Sequence, residues 1–471
     1  MRYYLAIDIG ASSGRHMLGC MVEGKLVLEE IYRFPNGATQ RNGQLVWDAE
    51  VLFSHILAGM RRCGELGKIP VSVGIDTWAI DFVLLDAEGQ RLGETVCYRD
   101  GRTQGMDALT EETLSFDALY RRTGIQKQIF NTIYQLMAVK QHTPELLEAA
   151  KTFLMLPDYF HYRLTGEIRN EYTNATSTAL VDANSKTWDW ELIECLGLPK
   201  EIFSDLTTPG ETVGTLTPEI VAQVGYDCCV VLPATHDTAS AFLAAPICEG
   251  EDAITLSSGT WSLMGIESPD PIITEYTRAQ NFTNEGGFDY RFRFLKNIMG
   301  LWMLQSIRRE MGEQVSFPEL AELAKASGPP VAIVDVNDHA FLAPDSMSEA
   351  VRQVAKKTGQ TEPGDFGQVL QCIYYSLAQC YADTVAELTK ATGRTFTSLH
   401  IMGGGSQDVY LNALTAAATG RTVFTGPIEA TVIGNLMVQM MAAGALPDLE
   451  TGRQIVRDSF AISEISPAGK E

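Results

Sequence analysis

The stretch Leu5-Ala6-Ile7-Asp8-Ile9-Gly10-Ala11-Ser12-Ser13-Gly14-Arg15 carries the first clue to the fold. Leu5, Ile7 and Ile9 alternate with Ala6, Asp8 and Gly10, the period-two pattern of a strand. Gly10 to Gly14 reads as a turn, Arg15 to Val22 as the returning strand, and Glu23-Gly24 as a second turn into Lys25 to Glu29. A similar plan reappears in the second half of the chain. There Ala253 to Leu256 reads as a strand, Ser257-Ser258-Gly259-Thr260 as a turn and Trp261 to Ile266 as the return. Two such meanders suggest two related halves, although any pair of hairpins turning through serine and glycine would match as well.

A chain of 471 residues exceeds what one core supports, so two domains or three are expected. The boundary falls in the turn-rich stretch at 245–252. Lys and Arg number 36 against 59 Asp and Glu, a net charge of −23 that argues against holding a nucleic-acid backbone. With 45% hydrophobic and 20% charged residues the composition is globular. No apolar run approaches the ~20 residues that span a bilayer. The run Tyr3 to Ile7 is cut short by Asp8 and does not read as a signal peptide. Nine cysteines without Cys-x-x-Cys spacing suit reduced thiols better than a disulfide framework or zinc site. The expectation is a cytoplasmic α/β enzyme, with no nucleic acid or membrane partner.

Between the meanders, Pro144 to Thr152 reads as a helix with Thr143 at its N-cap, and Asp158 to Arg163 as another. Ile373, Leu377, Tyr381, Val385 and Leu388 fall at helical spacing, with Gly393 as the C-terminal stop. The strand Leu399 to Met402 runs into Gly403-Gly404-Gly405, then a helix with Leu411, Leu414 and Ala418 on one face, ending at Gly420. Strand, glycines and helix together let backbone N–H groups approach an anion or a flat ring, though a tight structural turn needs the same residues.

Four places carry groups suited to chemistry. Asp8 closes a buried-looking strand, where a carboxylate needs compensation; a hydrated Mg²⁺ would give it, and so would capping of its own turn. Ser12, Ser13 and Gly14 offer N–H and hydroxyl donors with little bulk, with Arg15 adding positive charge or serving a surface ion pair. No Gly-x-x-x-x-Gly-Lys-Ser/Thr loop is present, which excludes a Walker-type phosphate site. In Gly74 to Phe82, Trp78 lies between Asp76 and Asp81, an arrangement that suits a sugar platform or a core tryptophan. Ala234-Thr235-His236-Asp237-Thr238-Ala239-Ser240-Ala241 sets His, Asp and hydroxyls at a strand exit. Asp237 there can accept a proton from a substrate hydroxyl, or it or Thr238 can cap the following helix.

Taken together, Asp8 to Arg15, Asp76 to Asp81, His236 to Ala241, Ser257 to Gly265, Thr283 to Gly287, Leu295 to Trp302 and Gly403 to Asn412 resemble the FGGY carbohydrate-kinase family. The likeness is to its L-rhamnulose-phosphorylating branch and runs in order along nearly the whole chain. It implies an α/β, two-domain actin-like ATPase (ribonuclease H-like) fold with a cleft between duplicated domains. Residues 1–248 would form the N-terminal domain and 249–471 the C-terminal one. The implied reaction converts ATP and L-rhamnulose to ADP and L-rhamnulose 1-phosphate, with Mg²⁺. Asp237 would be the general base, and His236, Thr238, Trp78, Ala79 and Asn297 would meet the sugar. Ala11, Ser12, Ser13, Gly14 and Arg15 would form one phosphate loop and Gly259-Thr260 the other. Gln305, Gly404 and Asn412 would line the nucleotide, and Asp8 would hold the metal through water. Two departures stand out. Ala79 replaces the glycine that this branch carries after the tryptophan, adding a methyl where a sugar would approach backbone. The Phe-Gly-Gly-Tyr tetrapeptide is absent, as is usual for the branch. The alternatives are a fuculokinase- or xylulokinase-like enzyme, an actin-like ATPase without a sugar, and an inactive sugar sensor. A monomer or small homo-oligomer is expected.

Overall fold

A computed structural model of the chain describes residues 1–312 and 314–467. The chain divides into two compact units. Among the described residues, one comprises 1–244, 267–294 and 431–459; the other comprises 245–266, 295–312, 314–430 and 460–467. The first unit therefore draws on three separate segments of sequence.

Its main sheet contains β1 (Tyr3–Ile9), β2 (Ser13–Val22), β3 (Lys25–Pro35), β4 (Pro70–Thr77), β5 (Thr212–Thr215) and β6 (Cys229–Val231). The strand order is β5-β6-β4-β1-β2-β3. β1, β2 and β3 form the expected antiparallel meander, while β4 runs parallel to both β1 and β6. β3 continues to Pro35, beyond the expected Glu29, because β2 gives it partners along its whole length. Leu5, Ile7, Val73 and Ile75 are fully buried in the core that joins this sheet to the helix Ala49–Glu65. The helix is capped by Asp48, whose side chain accepts from the Val51 N–H.

The second unit repeats this topology. The sheet there has seven strands: Thr283–Gly286 at one edge, then β9 (Phe292–Met299), β8 (Trp261–Ser268), β7 (Ala253–Ser258), β10 (Ser398–Met402), β11 (Thr422–Thr425) and β12 (Ser463–Ile465), in that order; residues 267–268, 283–286 and 292–294 of it count with the first unit. β7 is antiparallel to β8 and parallel to β10, and β11 is parallel to β10 and antiparallel to β12. β1 and β7 hold the same place: each pairs with its own hairpin partner on one side and with a parallel strand on the other. The two halves expected from their meanders are thus two copies of one sheet plan.

Local departures have local causes. The helix expected over Pro144 to Thr152 ends at Ala149, because Thr152–Met155 pairs antiparallel with Phe82–Leu85. Thr143 holds the cap position without a side-chain capping bond, its hydroxyl donating back to the Val139 carbonyl at 3.4 Å. Ser257 and Ser258 stay in β7, paired with Leu263 and Ser262, so the second turn shrinks to Gly259-Thr260. The helix anticipated near 158–163 spans Leu156–Thr165, and the long one spans Phe366–Thr392 with Gly393 left-handed at its end. The nine cysteines are all free. Among the described residues no helix is long and apolar enough to cross a membrane.

Candidate active site

In the first unit the site begins where β1, β4 and the chain after β6 end side by side. Asp8 and Asp76 are paired in register across β1 and β4, so both carboxylates stand on one face. Thr77 bridges His236 in parallel fashion, and its N–H donates to the Thr235 carbonyl at 3.0 Å. The helix Asp237–Leu243 then starts at once, with His236 in the cap position. Asp237 is thus the first helical residue rather than the cap. Its Oδ1 accepts the Thr238 N–H at 2.6 Å, and its side chain remains 28% exposed.

Burial and the negative charge of Asp8 push the Asp237 carboxyl up to about 7, against the pull of the Thr238 N–H and Arg293. Asp76 is fully buried and raised well above the usual carboxylate range, by burial first and then by Asp8. Its Oδ2 accepts from Asn435 Nδ2 at 2.6 Å, while Oδ1 has no partner among the described residues. Asn435 in turn accepts from Gln439 Nε2 at 2.7 Å, and Gln439 Oε1 takes the Ser72 hydroxyl at 2.6 Å. These amides come from the helix Ala430–Ala442. Asp8 Oδ2 accepts both Nε and Nη2 of Arg15, at 2.9 and 2.8 Å. Arg15 therefore pairs with the carboxylate two strands of a hairpin bring opposite it.

Behind the Asp237 segment lies Glu171, fully buried. Its carboxylate accepts from the backbone and hydroxyl of both Thr173 and Thr235, at 2.5 to 3.0 Å. This binding fixes Thr235 and so the start of the helix. His236 and Thr238 are held from the other side by Arg293, 1% exposed, which also pairs with Glu285. Burial and the Arg293 charge lower the His236 pKa well below its ordinary value, so the imidazole is neutral.

Trp78 is buried and packs against Trp47 with ring centroids 4.3 Å apart. Both indole N–H groups donate to Asp81 Oδ2, at 2.9 Å from Trp78 and 2.6 Å from Trp47, and Gln135 donates to Oδ1 at 3.1 Å. Burial pushes Asp81 up to about 6, against these donors. Between Ala79 and Asp81 the Asp81 N–H closes a tight turn on the Ala79 carbonyl at 3.0 Å, with Ile80 at φ +69°. A β-branched residue in that conformation is strained.

The loop Ala11 to Ser13 leaves Ser12 exposed. It is fastened by Asn36, whose side chain donates to the Gly10 carbonyl at 2.8 Å and whose backbone donates to Ser12 at 3.0 Å. Gly14 serves packing, because a Cβ there would overlap the buried Phe34 ring.

The second unit gathers its own set. The turn Gly259-Thr260 accepts from the N–H groups of Leu301 at 3.0 Å and Trp302 at 3.2 Å, which seats the helix Trp302–Glu310 and with it Gln305. Gly405 packs against Ser258 so closely that a Cβ would overlap its hydroxyl, whereas Gly404 is open and exposed. Asn412 is buried and donates to the carbonyls of Gly405 at 3.2 Å and Ser406 at 3.0 Å, holding the glycine turn. Asn297 Oδ1 is buried without a partner among the described residues. Among those residues no group of three or more His, Cys, Asp or Glu is arranged to hold a metal ion.

One sheet plan thus carries a carboxyl raised to about 7, and each carries an open serine- or glycine-rich turn. Residues 3–244 match the N-terminal domain of the FGGY family of carbohydrate kinases, and residues 254–443 match its C-terminal domain. The chain belongs to that family. A rhamnulokinase of Halalkalibacterium halodurans is 48% identical over 471 residues, covering 100% of both chains. A rhamnulokinase of Bacillus subtilis is 44% identical over 465 residues, covering 98% of this chain and 95% of its own. Among solved structures, a ligand-bound xylulose kinase from Lactobacillus acidophilus superposes with a TM-score of 0.82 at 17% identity, covering 100% of this chain and 94% of the other. A Plasmodium falciparum glycerol kinase with ADP gives 0.80 at 14%, covering 99% and 94%. The two-domain actin-like fold expected from the sequence is the fold of this carbohydrate kinase.

Several parts of the site, Glu171 and Gln135 among them, escaped the sequence reading, and three show why. Arg293 stands between Phe292 and Phe294, where alternation marks an outward, solvated position. Glu285 lies inside the Thr283 to Gly287 stretch but nothing local distinguishes its carboxylate. Asn435 is too remote in sequence from Asp76 for any spacing rule to link them.

Proposed function

We propose that this carbohydrate kinase transfers the γ-phosphoryl group of ATP to O1 of L-rhamnulose, giving L-rhamnulose 1-phosphate and ADP. The observation that carries the chemistry is Asp237, a half-exposed carboxylate at about 7 on the first turn of a helix, flanked by the hydroxyl of Thr238. A base near the working pH suits proton removal from an alcohol. The choice of ketose rests on the full-length relatives named rhamnulokinase.

In this reading Asp237 takes the O1 proton as O1 bonds to the γ-phosphorus, the bond to the β-phosphate oxygen breaks, and ADP leaves. Phosphoryl transfer asks the protein mainly to position and to stabilise charge. His236, Thr238, Trp78, Ala79 and Asn297 orient the sugar. The donors of Ala11, Ser12, Ser13, Gly14 and Arg15, and the Gly259-Thr260 turn, take phosphate oxygens. Gln305 and Gly404 face the nucleotide, and Asn412 serves by shaping the glycine turn. Mg²⁺ enters as part of the co-substrate Mg·ATP and neutralises phosphate charge when bound. Asp8, already paired with Arg15, suits an outer contact through water better than a direct ligand. Nine unpaired cysteines fit a reducing cytoplasm.

The test is purified protein with Mg·ATP and a panel of L-rhamnulose, L-fuculose, D-xylulose and glycerol, read by ADP release. L-Rhamnulose should give the highest kcat/KM and no sugar should give almost no turnover. A preference for another acceptor refutes the substrate, and sugar-independent ATP turnover refutes the reading as a kinase.

A further inference from the structure

Arg293 is a buried cation beside the Asp237 segment, and a buried guanidinium is costly unless it is paired and hydrogen-bonded. Its Nε donates to the Gly286 carbonyl at 3.0 Å, and Nη2 donates to Glu285 Oε2 at 3.1 Å. The Glu285 carboxylate balances its charge. The remaining two reach the site itself: Nη2 to His236 Nδ1 at 3.0 Å, and Nη1 to Thr238 Oγ1 at 2.9 Å.

A guanidinium can only donate, so each group it touches must accept. His236 Nδ1 is therefore the lone-pair nitrogen, and the ring proton of this neutral imidazole resides on Nε2. Nε2 lies 3.0 Å from Thr238 Oγ1 and donates to it. Thr238 Oγ1 thus accepts from both Arg293 and His236, and its two lone pairs are taken. What it has left is its own hydrogen, on a side chain that is half-exposed beside Asp237. The same accounting leaves His236 with both ring nitrogens engaged by protein.

We propose that Arg293, anchored by Glu285, is a positioning residue that sets the hydrogen-bond polarity of His236 and Thr238, so that Thr238 meets the sugar as a donor only, to an oxygen lone pair of the ketose. This deepens the reading of the Asp237 site as a ketose site and rests on it. In that division of labour Thr238 supplies the direct contact, His236 transmits orientation, and Asp237 is left free to accept the O1 proton.

The experiment is a double-mutant cycle on the full chain, with KM for L-rhamnulose, KM for ATP and kcat measured for wild type, Arg293→Met, Thr238→Val and the double variant. Losing one such hydrogen bond should raise the sugar KM by about 10-fold in either single variant, with the ATP KM within about 2-fold of wild type. The double variant should match the worse single within about 2-fold, because both changes remove the same bond. Thr238→Ser, which keeps the hydroxyl, should restore a near wild-type sugar KM. Independent, multiplying effects in the double variant would overturn the proposal, as would equal rises in the sugar and ATP KM. If Arg293→Met strands Glu285 and does not fold, Arg293→Met with Glu285→Leu removes both charges and takes its place in the cycle. Wild-type protein that turns over no ketose would refute the functional reading on its own, before any variant is compared, and this proposal with it.

Discussion

Replacing Asp237 with asparagine keeps the size of the side chain and removes its capacity to take a proton. The wild-type carboxyl lies at about 7, so about one-tenth is ionised at pH 6 and about nine-tenths at pH 8. A base works only when ionised. The wild-type kcat/KM should therefore rise about 10-fold per pH unit below 7 and level off above about 8. His236 is held neutral by burial and Arg293, so it adds no limb of its own in this range. Asp237→Asn should lower kcat by about 10²–10⁴, the range for loss of a general base, and flatten that acid limb. The sugar KM should change little, because Thr238 and its partners remain. Steady-state rates from pH 5.5 to 9 by coupled ADP detection decide it. Near wild-type turnover in the variant, or an unchanged acid limb, would refute the assignment. Asp8 offers a check on the cause: its negative charge helps to lift Asp237, so Asp8→Asn should move whatever limb survives to lower pH.

Other perturbations test the frame around the site. A Cβ on Gly434 would overlap the backbone carbonyl oxygen of Ser240, in the helix that starts at Asp237. Gly434→Ala should cost about 1–3 kcal/mol in urea unfolding and reduce kcat, since backbone cannot rotate aside as a side chain can; unaltered stability would refute that contact. Asp81 should report on proton linkage. Its folded pKa of about 6 exceeds the ordinary 3.8, so folding takes up a proton there and the stability from this group is present at low pH and lost as pH rises through about 6. Against Asp81→Asn, which does not titrate, wild type should therefore lose relative stability between about pH 4 and 6, and a pH-independent difference would show that Asp81 is not buried as described.

Much of this protein was legible from local pattern. The alternation in Leu5 to Ile9 and the Ser/Gly turn after it mark the hairpin that begins each half. Gly393 and Gly420 sit left-handed after their helices, as a residue without a Cβ can. The segment His236 to Thr238 was recognisable because small neighbours and polar groups follow an apolar strand. Where two locally sound readings competed, pairing partners settled the outcome: Thr152 joins a strand, and Ser257 and Ser258 stay in β7.

The sequence by itself determined the doubled α/β plan, the family and the His236 to Thr238 segment at a strand exit, because these depend on periodicity and on short contiguous runs. Only the tertiary structure decided how the Asp237 carboxyl is tuned. Segments 267–294 and 431–459 belong to the first unit and bring Glu285, Arg293 and Asn435 to the ends of its strands. A carboxylate's proton affinity and a hydroxyl's polarity are set by what lies within a few ångströms in a water-poor interior. Neighbours drawn from hundreds of residues away leave no trace in local spacing.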